Sequence, residues 1–422
     1  MKKEMRKIVS AILCFATAAT MSVGLSGCGE KNQAGSDNTL VWYMFGDQPS
    51  DLASVLEKAN EIIEPEIGMK LDMKYIDSAS YGEKMKLKMA SGEAYDLAFV
   101  GYNNPYQTAV SMGGLYDITD LIKETGIDKV MPQFYLDSVT VDGKIYGLPN
   151  IQVVSNPVTL LMDKSLAEEL NVDTQAIEDA ACNSKNVDDL KKYAALLDDL
   201  FEKVHAAKPD LYVMNPTYDL LDQPIYENLM NGVRIKKDGS STQLVLDYET
   251  PEWEYRKQKV HEWYQKGYIR QDIASKGTAV SGNDEARQIA VRSSTWKPGV
   301  EIYDAETYGT EQVYMRLNKP YVGRTAALAT ATGVGANSKH PKEAVEFLKL
   351  INTNKELFNI ISWGIEGKHY TKNEEGLVTQ IENSGYTDVG KSAWKFGDQF
   401  NAYLMAGQDA DTWTETEKMN NE

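Results

Sequence analysis

Cysteine is scarce in this sequence, which has three cysteines among its 422 residues. Cys14 lies inside an amino-terminal apolar run and Cys28 follows that run, so the rest of the chain contains only Cys182. If the chain is cut before Cys28, an internal disulfide within the body is excluded. Because no base or orienting partner for Cys182 can be identified, we expect a small, half-buried residue there rather than a nucleophile.

Histidines and catalytic motifs are equally sparse. The four histidines are widely separated and lack the spacing of a metal site, so we predict neither a metal nor a cofactor; they are His205, His261, His340 and His369. The sequence has no Gly-x-Ser-x-Gly, His-Glu-x-x-His or phosphate-loop pattern. GVGANS has Ser338 where a dinucleotide fingerprint would need its third glycine.

An excess of positive charge is also missing. The whole chain carries a net charge of −18, and its first 27 residues carry +3, which leaves −21 on the remainder. Such acidity repels nucleic acid and anionic lipid headgroups, so neither is an expected partner. A small anionic ligand is not excluded, because one Arg or Lys inside a cleft can override a diffuse surface charge.

The amino terminus has the order of a secretory leader. Lys2, Lys3, Arg6 and Lys7 precede an apolar run over residues 8–23, and small residues follow it. A membrane-spanning helix needs about 20 predominantly apolar residues, whereas this run is shorter and interrupted by Thr and Ser. Residues 1–27 are therefore predicted to be a signal peptide.

The residues after the apolar run indicate how the chain is anchored. Leu25-Ser26-Gly27-Cys28 resembles the lipobox of bacterial lipoproteins, in which the cysteine is acylated and becomes the first mature residue. The resemblance implies a lipid anchor at Cys28 and a location on the outer face of the cytoplasmic membrane. Residues 28–38 are polar and glycine-rich, so we predict a flexible tether that cannot bury enough apolar surface to order itself.

The first part of the body alternates strands with helices. NTLVWYMFG is predicted to be a strand, and the apolar residues of the next segment keep one helical face; they are Leu52, Val55, Leu56, Ala59 and Ile63. MKLDMKYID alternates as a second strand, and a further helix and a glycine-bearing break precede the strand LAFVG. This order predicts an α/β lobe with largely parallel pairing.

The pattern changes at TVDGKIYGLPN. Asp142-Gly143 fits a tight hairpin turn before a short strand that Pro149 ends. We predict the first crossing between two lobes here, because the 395 residues after the leader exceed what one hydrophobic core usually serves. A helix-rich second lobe should extend to about residue 324. RTAALATATGVGANSKHPKEAVEFLKLI should then form a strand and a helix that return to the first lobe.

Several short motifs share an order and spacing: LSGC, YDLAFVG, DGKIYGLP, WKPG, and ATGVGANSKHPKEAVEFLKLI followed by WGIEGKHY. Together they resemble the extracellular solute-binding proteins of bacterial ABC importers, and within them the lipoprotein-anchored, sugar-type branch of Gram-positive bacteria. The resemblance implies an α/β, two-lobe periplasmic-binding-protein fold of type II, with hinge strands and an interlobe cleft. It implies a monomer without enzymatic activity that captures a solute, expected to be an oligosaccharide, and delivers it to ABC permease subunits.

The predicted lobe boundaries follow from the same order of elements. Lobe 1 is expected to comprise residues 39–148 and 325–357, and lobe 2 residues 149–324 and 358–422. WGIEGKHY resembles a subgroup whose chains are longer than this one, so a further carboxyl-terminal segment is expected.

Candidate ligand residues on lobe 1 lie just after predicted strands, since ligands of open α/β sheets bind at the carboxyl ends of strands. They are Trp42, Tyr43 and Asp47 after the first strand, Tyr102 and Asn103 after LAFVG, and Asn150 and Gln152 after the hinge strand. Aromatic residues near strand ends are core residues more often than ligand contacts. We therefore expect about half of this set to contact a ligand.

Candidates on lobe 2 are Trp296 in STWKPG and Trp363 with Glu366 in SWGIEG, where the resemblance implies stacking rings and a polar partner. Trp296 is the strongest candidate, because a large ring beside a Pro-Gly turn is poorly placed for a central core. Arg324 begins the predicted small-residue strand and is a candidate for a bond to a hydroxyl or carboxylate. A hinge salt bridge is the alternative role for Arg324.

Three other functions stay open from the sequence. A surface carbohydrate hydrolase would need two carboxylates across the scissile bond, which folding could supply from Asp96 and Asp142. An oligopeptide or amino-acid binder could use the same scaffold, but it would need charge partners in the cleft for both termini. A sensory or adhesive lipoprotein would share every feature of the sequence.

Overall fold

The computed structural model describes residues 38–155, 157–215, 220–222, 224–230, 232–276, 286–386 and 390–421. The predicted signal peptide, Cys28 and all but the last residue of the predicted tether lie outside these residues. The strands are β1 Thr39–Phe45, β2 Lys70–Ile76, β3 Leu97–Gly101, β4 Gly147–Pro149, β5 Val158–Asp163, β6 Tyr212–Met214, β7 Tyr226–Met230, β8 Val233–Lys236, β9 Val245–Leu246, β10 Ile289–Thr295, β11 Gln312–Arg316, β12 Thr330–Val334, β13 Tyr370–Lys372 and β14 Val378–Gln380.

The α-helices are α1 Leu52–Ile67, α2 Tyr81–Ser91, α3 Tyr106–Ser111, α4 Thr119–Thr125, α5 Gln133–Val139, α6 Lys164–Glu169, α7 Thr174–Cys182, α8 Val187–Ala207, α9 Pro251–Gln265, α10 Ile273–Lys276, α11 Val300–Tyr308, α12 Arg324–Leu328, α13 Pro341–Thr353, α14 Lys355–Trp363 and α15 Thr412–Asn420. Short 3₁₀ helices cover Ile127–Lys129, Asp247–Glu249, Gly390–Lys395 and Gln399–Asn401. Within the described ranges, no helix has both the length and the apolar character needed to cross a bilayer.

A five-stranded sheet in the order β2-β1-β3-β12-β4 organises the first core. β1 and β3 are parallel, with Trp42 opposite Leu97. β12 is antiparallel to both β3 and β4. The predicted parallel pairing is therefore confirmed for β1 and β3. β12 runs in the opposite direction to β3, and the chain reaches it only after passing through the second sheet.

Amphipathic helices cover this sheet as their periodicity predicts. α1 buries Leu52, Val55, Leu56, Ala59 and Ile63, which are the five residues predicted for its apolar face. α13 begins at Pro341 and likewise buries its predicted apolar face. These helices and the sheet enclose one continuous set of buried side chains, which we call the first core.

The predicted hairpin turn before β4 is confirmed. Asp142 and Gly143 both have positive φ angles, 51° and 77°, and Val141 pairs with Lys144 across the turn. The strand itself begins at Gly147, later than the start predicted at Lys144. A Cβ atom at Gly147 would lie 2.5 Å from the Thr332 carbonyl oxygen, so glycine allows β4 to pack closely against β12.

A four-stranded sheet in the order β11-β5-β10-β6 organises the second core. β10 is antiparallel to β5 and parallel to β6. α8 and α9 lie against this sheet, and the indole NH of Trp263 on α9 donates to Asp198 Oδ1 on α8 at 2.7 Å. Trp263 is buried, so α9 packs within its own core.

A buried ion cluster joins the three-stranded sheet β7-β8-β9 to α9. The guanidinium of Arg256 pairs with Asp222 and, at 2.9 Å, with Asp247. Arg234 on β8 pairs with the same two carboxylates. Because each carboxylate is shared by two guanidinium groups, loss of any one member would leave a buried charge without full compensation.

Within the described ranges, two chain segments connect the cores. The first comprises residues 150–155 and 157, between β4 of the first core and β5 of the second, and the second runs from Leu317 to Val322. The two segments are bonded side by side, since Leu317 N donates to Val158 O at 2.7 Å. Asn318 Oδ1 accepts from Val158 N at 3.2 Å, which adds a side-chain bond to this double connection.

The predicted boundary of lobe 2 at residue 358 is wrong for the segment that follows it. Phe358, Ile361, Tyr386 and Phe396 are buried in the first core. α14 starts two residues after α13 ends, and Asn354 Oδ1 caps it by accepting from Leu357 N at 2.9 Å. This tight junction keeps α14 in the same core as α13.

A small third core follows α14. It contains Trp363, Tyr370, Val378 and Met405, and Tyr303 of α11 packs against it. α11 therefore lies between the second sheet and the segment that is attached to the first core.

The small-residue strand predicted from Arg324 starts later than expected. Residues Arg324–Leu328 form α12, and β12 begins at Thr330. The Ala-rich sequence RTAAL has high intrinsic helix propensity, which explains the difference. The side chain of Arg324 lies outside the described part of the structure, so its predicted ligand contact stays a prediction.

Candidate functional site

A cavity of about 320 Å³ lies between the first and second cores. Its size falls at the lower end of the range of ligand pockets. It is lined by Gln152, Val153, Ser294, Thr295, Lys297, Val300, Tyr303, Thr307 and Trp394. We call it the interlobe cavity, because Gln152, Val153 and Trp394 come from the connecting segment and the first core, and the others come from β10, the turn after it and α11.

Trp394 presents the aromatic surface of the first wall. It is half-buried and belongs to an aromatic cluster in which its ring centroid lies 6.0 Å from Phe45, 6.4 Å from Phe99 and 6.2 Å from Tyr102. Tyr102, a predicted ligand residue, is 60% exposed at the edge of this cluster. The cluster supports Trp394 from behind and leaves part of its ring open to the cavity.

Two predicted residues, Asn150 and Gln152, lie at this wall. Asn150 is buried, and its amide donates to the carbonyl oxygens of Lys395 at 2.8 Å and Trp394 at 3.4 Å. Asn150 therefore positions the backbone that carries Trp394. Gln152 lines the cavity itself, with its amide nitrogen bonded to Thr330 Oγ1 at 2.8 Å.

The second wall is formed where β10 ends and α11 begins. Ser294 and Thr295 supply hydroxyl groups from the last two positions of β10. Gly299 then turns the chain with φ 77°, and a Cβ atom there would lie 2.7 Å from Gln408 Nε2. Gln408 donates to the Gly299 carbonyl at 3.0 Å, which fixes the start of α11 against the segment attached to the first core.

Trp296, the strongest sequence candidate, lies beside the interlobe cavity rather than among the residues that line it. Its ring is half-buried, and its indole NH donates to Glu301 Oε1 at 3.3 Å. The guanidinium of Arg316 lies 5.6 Å from its ring centroid. The ligand contact of Trp296 stays a prediction.

Trp42 and Trp363, two further predicted ligand residues, are core residues. Trp42 is 0% exposed, and its ring packs edge-on against Phe347 and Phe396 with centroids 5.6 Å and 5.7 Å away. Trp363 is 1% exposed in the third core. Their predicted role as ligand contacts needs correction, since both rings are buried.

The remaining candidates are spread over the surface. Tyr43 packs under the ammonium group of Lys88 at 4.7 Å, and Asp47 is exposed. Glu366 is exposed and pairs with Lys372 at 3.0 Å. Asn103 is half-buried, and neither atom of its amide has a partner within the described part of the chain. The structure does not bring these four residues to the interlobe cavity.

Two lysines near the cavity have unusual electrostatics. Burial lowers the pKa of Lys297 to about 8 and that of Lys395 to about 8. The ammonium group of Lys395 lies 4.2 Å from the Phe45 ring centroid and 5.5 Å from that of Trp394. Lys395 thus supports the aromatic cluster through cation–π contacts, whereas Lys297 lines the cavity directly.

Asp398 gives a testable pH dependence at the first connecting segment. Its backbone forms an isolated β-bridge with Ile151, and its side-chain Oδ1 accepts from Phe400 N at 3.0 Å. Burial raises the pKa of this carboxyl from 3.8 to about 6. The folded state therefore binds this proton more tightly than the unfolded state does, and this carboxyl lowers stability as the pH rises from about 4 to about 6.

We expect the Asp398→Asn variant to gain stability relative to the wild type across that pH range, because Asn keeps the bond to Phe400 N without a titrating group. Urea unfolding of both proteins between pH 4 and pH 7 measures this difference. A difference in the free energy of unfolding that stays constant over the range would contradict the prediction.

Asp96 and Cys182, which the sequence offered as candidates for catalysis, have bonds to other parts of the chain. Both oxygens of Asp96 are engaged, Oδ2 by Val41 N at 2.8 Å and Oδ1 by the Ser338 hydroxyl at 2.6 Å, so this carboxylate fixes loops. Cys182 is half-buried with its thiol 3.5 Å from the Arg316 carbonyl oxygen, and burial raises its pKa to about 11. The half-buried position predicted for Cys182 is confirmed.

Some groups that line the interlobe cavity were not predicted from the sequence: Trp394, Lys297 and the hydroxyl groups at the end of β10. One pattern could have indicated the first two: the dipeptide Trp-Lys occurs at Trp296-Lys297 and again at Trp394-Lys395, each time followed within three residues by a glycine. A ring next to a turn is poorly placed for a core, and this holds for Trp394 as it does for Trp296. Nothing in the sequence shows that the two segments meet.

Two α/β cores, a double connection and a cavity between them define the class of two-lobe ligand-binding proteins. The chain belongs to the family of bacterial extracellular solute-binding proteins, whose pattern matches residues 58–363. This membership confirms the family predicted from the sequence motifs.

The chain is similar to a carbohydrate transporter component and to two proteins of known structure. A carbohydrate ABC transporter substrate-binding protein of Streptococcus pneumoniae is 27% identical over 416 residues, covering 92% of this chain and 78% of that protein. The N-glycan transport solute binding protein NgtS of the same species, in complex with Man1GlcNAc, superposes with a TM-score of 0.73 at 24% identity, covering 91% of this chain and 83% of that one. The alginate-binding protein AlgQ2 gives 0.57 at 14% identity, covering 92% and 82%. The likeness to the two structures shows the shared two-lobe fold.

Proposed function

We propose that this protein is a lipid-anchored extracellular receptor without catalytic activity, which binds an oligosaccharide in the interlobe cavity and delivers it to an ABC importer. The observation that carries the proposal is the pairing of the Trp394 ring on one wall with neutral hydrogen-bonding side chains on both. The names of the carbohydrate-transport relatives support the same ligand class.

The chemistry of the cavity favours a sugar over a peptide. Sugars present apolar CH faces, which an indole ring can cover, and hydroxyl edges, which amide and hydroxyl groups can bond. Gln152, Ser294, Thr295 and Thr307 supply such groups. A peptide would need a carboxylate for its amino terminus, and none is present among the described residues that line the cavity.

If the two cores close around the connecting segments, a ligand would make more contacts in the closed form than in the open form. A reversible binder needs this difference, because it is what favours closure when the ligand is present. Helix α15 contacts the first connecting segment. Asn420 Oδ1 accepts from Val154 N at 2.8 Å, and its amide donates to Gln152 O at 2.8 Å. We infer that these bonds set the rest position of the first connecting segment, on which Gln152 is carried into the cavity.

The anchor and the transport partner follow from the sequence motif and the family. Acylation of Cys28 would hold the protein at the outer face of the membrane, and residues 29–38 would give the folded body reach toward a permease. Incorporation of labelled palmitate into the wild type and its absence from a Cys28→Ser variant would support the anchor. Equal labelling of both would exclude it.

A thermal-shift screen tests the ligand class. We expect neutral or acidic oligosaccharides to raise the melting temperature of the purified chain, because a ligand that binds only the native state stabilises it by about 2.7 kcal/mol at about 100 times its Kd. Dipeptides to pentapeptides and free amino acids serve as matched negative ligands. A shift with peptides alone would overturn the sugar assignment and keep the two-lobe mechanism.

A further inference from the structure

Lys297 is the one charged side chain among the described residues that line the interlobe cavity. The chain as a whole has 62 acidic and 44 basic residues, so a cavity with a cation and no carboxylate differs in sign from the protein around it. A local cation in a partly desolvated site acts more strongly on a ligand than the diffuse surface charge does.

The ammonium group of Lys297 has no carboxylate partner among the residues that the structure describes. Its nearest recorded contact is the face of Trp413, whose ring centroid lies 5.9 Å away. Two acidic residues on α11 are engaged elsewhere: Glu301 accepts from the Trp296 indole at 3.3 Å and Asp304 from the Tyr314 hydroxyl at 2.9 Å. Burial without compensation lowers the pKa of Lys297 to about 8.

The amino terminus of α11 lies at the same side of the cavity. Val300, its first residue, lines the cavity, and no side chain caps this nine-residue helix. The first turn of a helix leaves backbone NH groups without intrahelical partners and carries a partial positive charge. The hydroxyl groups of Ser294 and Thr295 add neutral donors beside Lys297.

We propose, resting on the saccharide-binding function above, that the interlobe cavity takes an acidic saccharide unit, a uronic or sialic acid, whose carboxylate pairs with Lys297. A carboxylate there would supply the counter-charge that the described residues do not provide, and the ring of the same saccharide would face Trp394 across the cavity. A charged hydrogen bond of this kind in a desolvated site is stronger than a bond between neutral groups.

The test compares oligosaccharides that differ only in charge. Isothermal titration of the purified full chain would use three pairs: tetragalacturonate, tetramannuronate and sialyllactose, each beside its own methyl ester. We expect the acidic member of at least one pair to bind about 10- to 100-fold more tightly. The Lys297→Gln variant should lose most of that difference, and Lys297→Arg should retain it.

The matched control is Lys257→Gln, which removes the same charge from an exposed position on α9. It should bind both members of each pair as the wild type does, and the melting temperatures of all variants show whether they are folded. Equal binding of neutral and acidic members, or a preference that survives in Lys297→Gln, would overturn this inference and leave the saccharide receptor intact. Binding of peptides with no binding of any saccharide would overturn both.

Discussion

Replacement of Trp394 by Ala is expected to weaken saccharide binding by about 2 kcal/mol or more, which is roughly 30-fold in Kd. Trp394 supplies the one indole ring among the described residues that line the interlobe cavity, and Asn150 holds its backbone in place. Removal of the ring takes away the surface that would cover the CH face of a sugar, while the polar groups of the second wall stay. Isothermal titration with a saccharide from the thermal-shift screen measures the loss.

A matched control for this prediction is Trp253→Ala on α9. Trp253 is also half-buried and also lies beside a cation, with Arg256 5.3 Å from its ring centroid, but it does not line the interlobe cavity. We expect its saccharide affinity to match that of the wild type. If both variants lost affinity equally, or if Trp394→Ala bound normally, the cavity would not be the saccharide site.

Replacement of Trp42 by Ala is expected to lower the free energy of unfolding by about 3 to 5 kcal/mol. Its ring is fully buried between Phe347 and Phe396, so its removal leaves a cavity that the surrounding sheet and helix cannot fill. Urea unfolding of the variant and the wild type measures this difference.

A measurement of saccharide affinity on the same variant separates a core role of Trp42 from a ligand role. The folded fraction of Trp42→Ala should bind saccharide with an affinity close to that of the wild type. Trp296→Ala is the comparison, since that ring is half-buried at the surface and should cost much less stability. A Trp42→Ala variant with normal stability and lost affinity would show that the sequence-based assignment of Trp42 was right and the burial argument wrong.

Local patterns in the sequence predicted the elements around the site. The apolar face of α1 and the turn at Asp142-Gly143 follow from periodicity and φ preference, which act over a few residues. The same reasoning could have placed Trp42 correctly. It alternates with Leu40 and Met44 along β1, and all three share the buried face of the strand.

The site itself depends on contacts that no local pattern records. Trp394 lies in a short 3₁₀ segment without strand or helix periodicity, and Asn150, more than 240 positions earlier, holds it. The assignment of residues 358–422 to lobe 2 failed for a similar reason. α14 follows α13 so closely that it stays in the first core, whereas the predicted boundary placed residues from 358 onward in lobe 2.

The most direct test of saccharide binding in the interlobe cavity is a crystal structure of the protein with a saccharide that raises its melting temperature. We expect electron density for the saccharide between Trp394 and the end of β10, with a sugar ring on the indole face and polar groups near Gln152 and Lys297. Density in a different place, such as the groove of Trp253 and His261 on the second core, would contradict it.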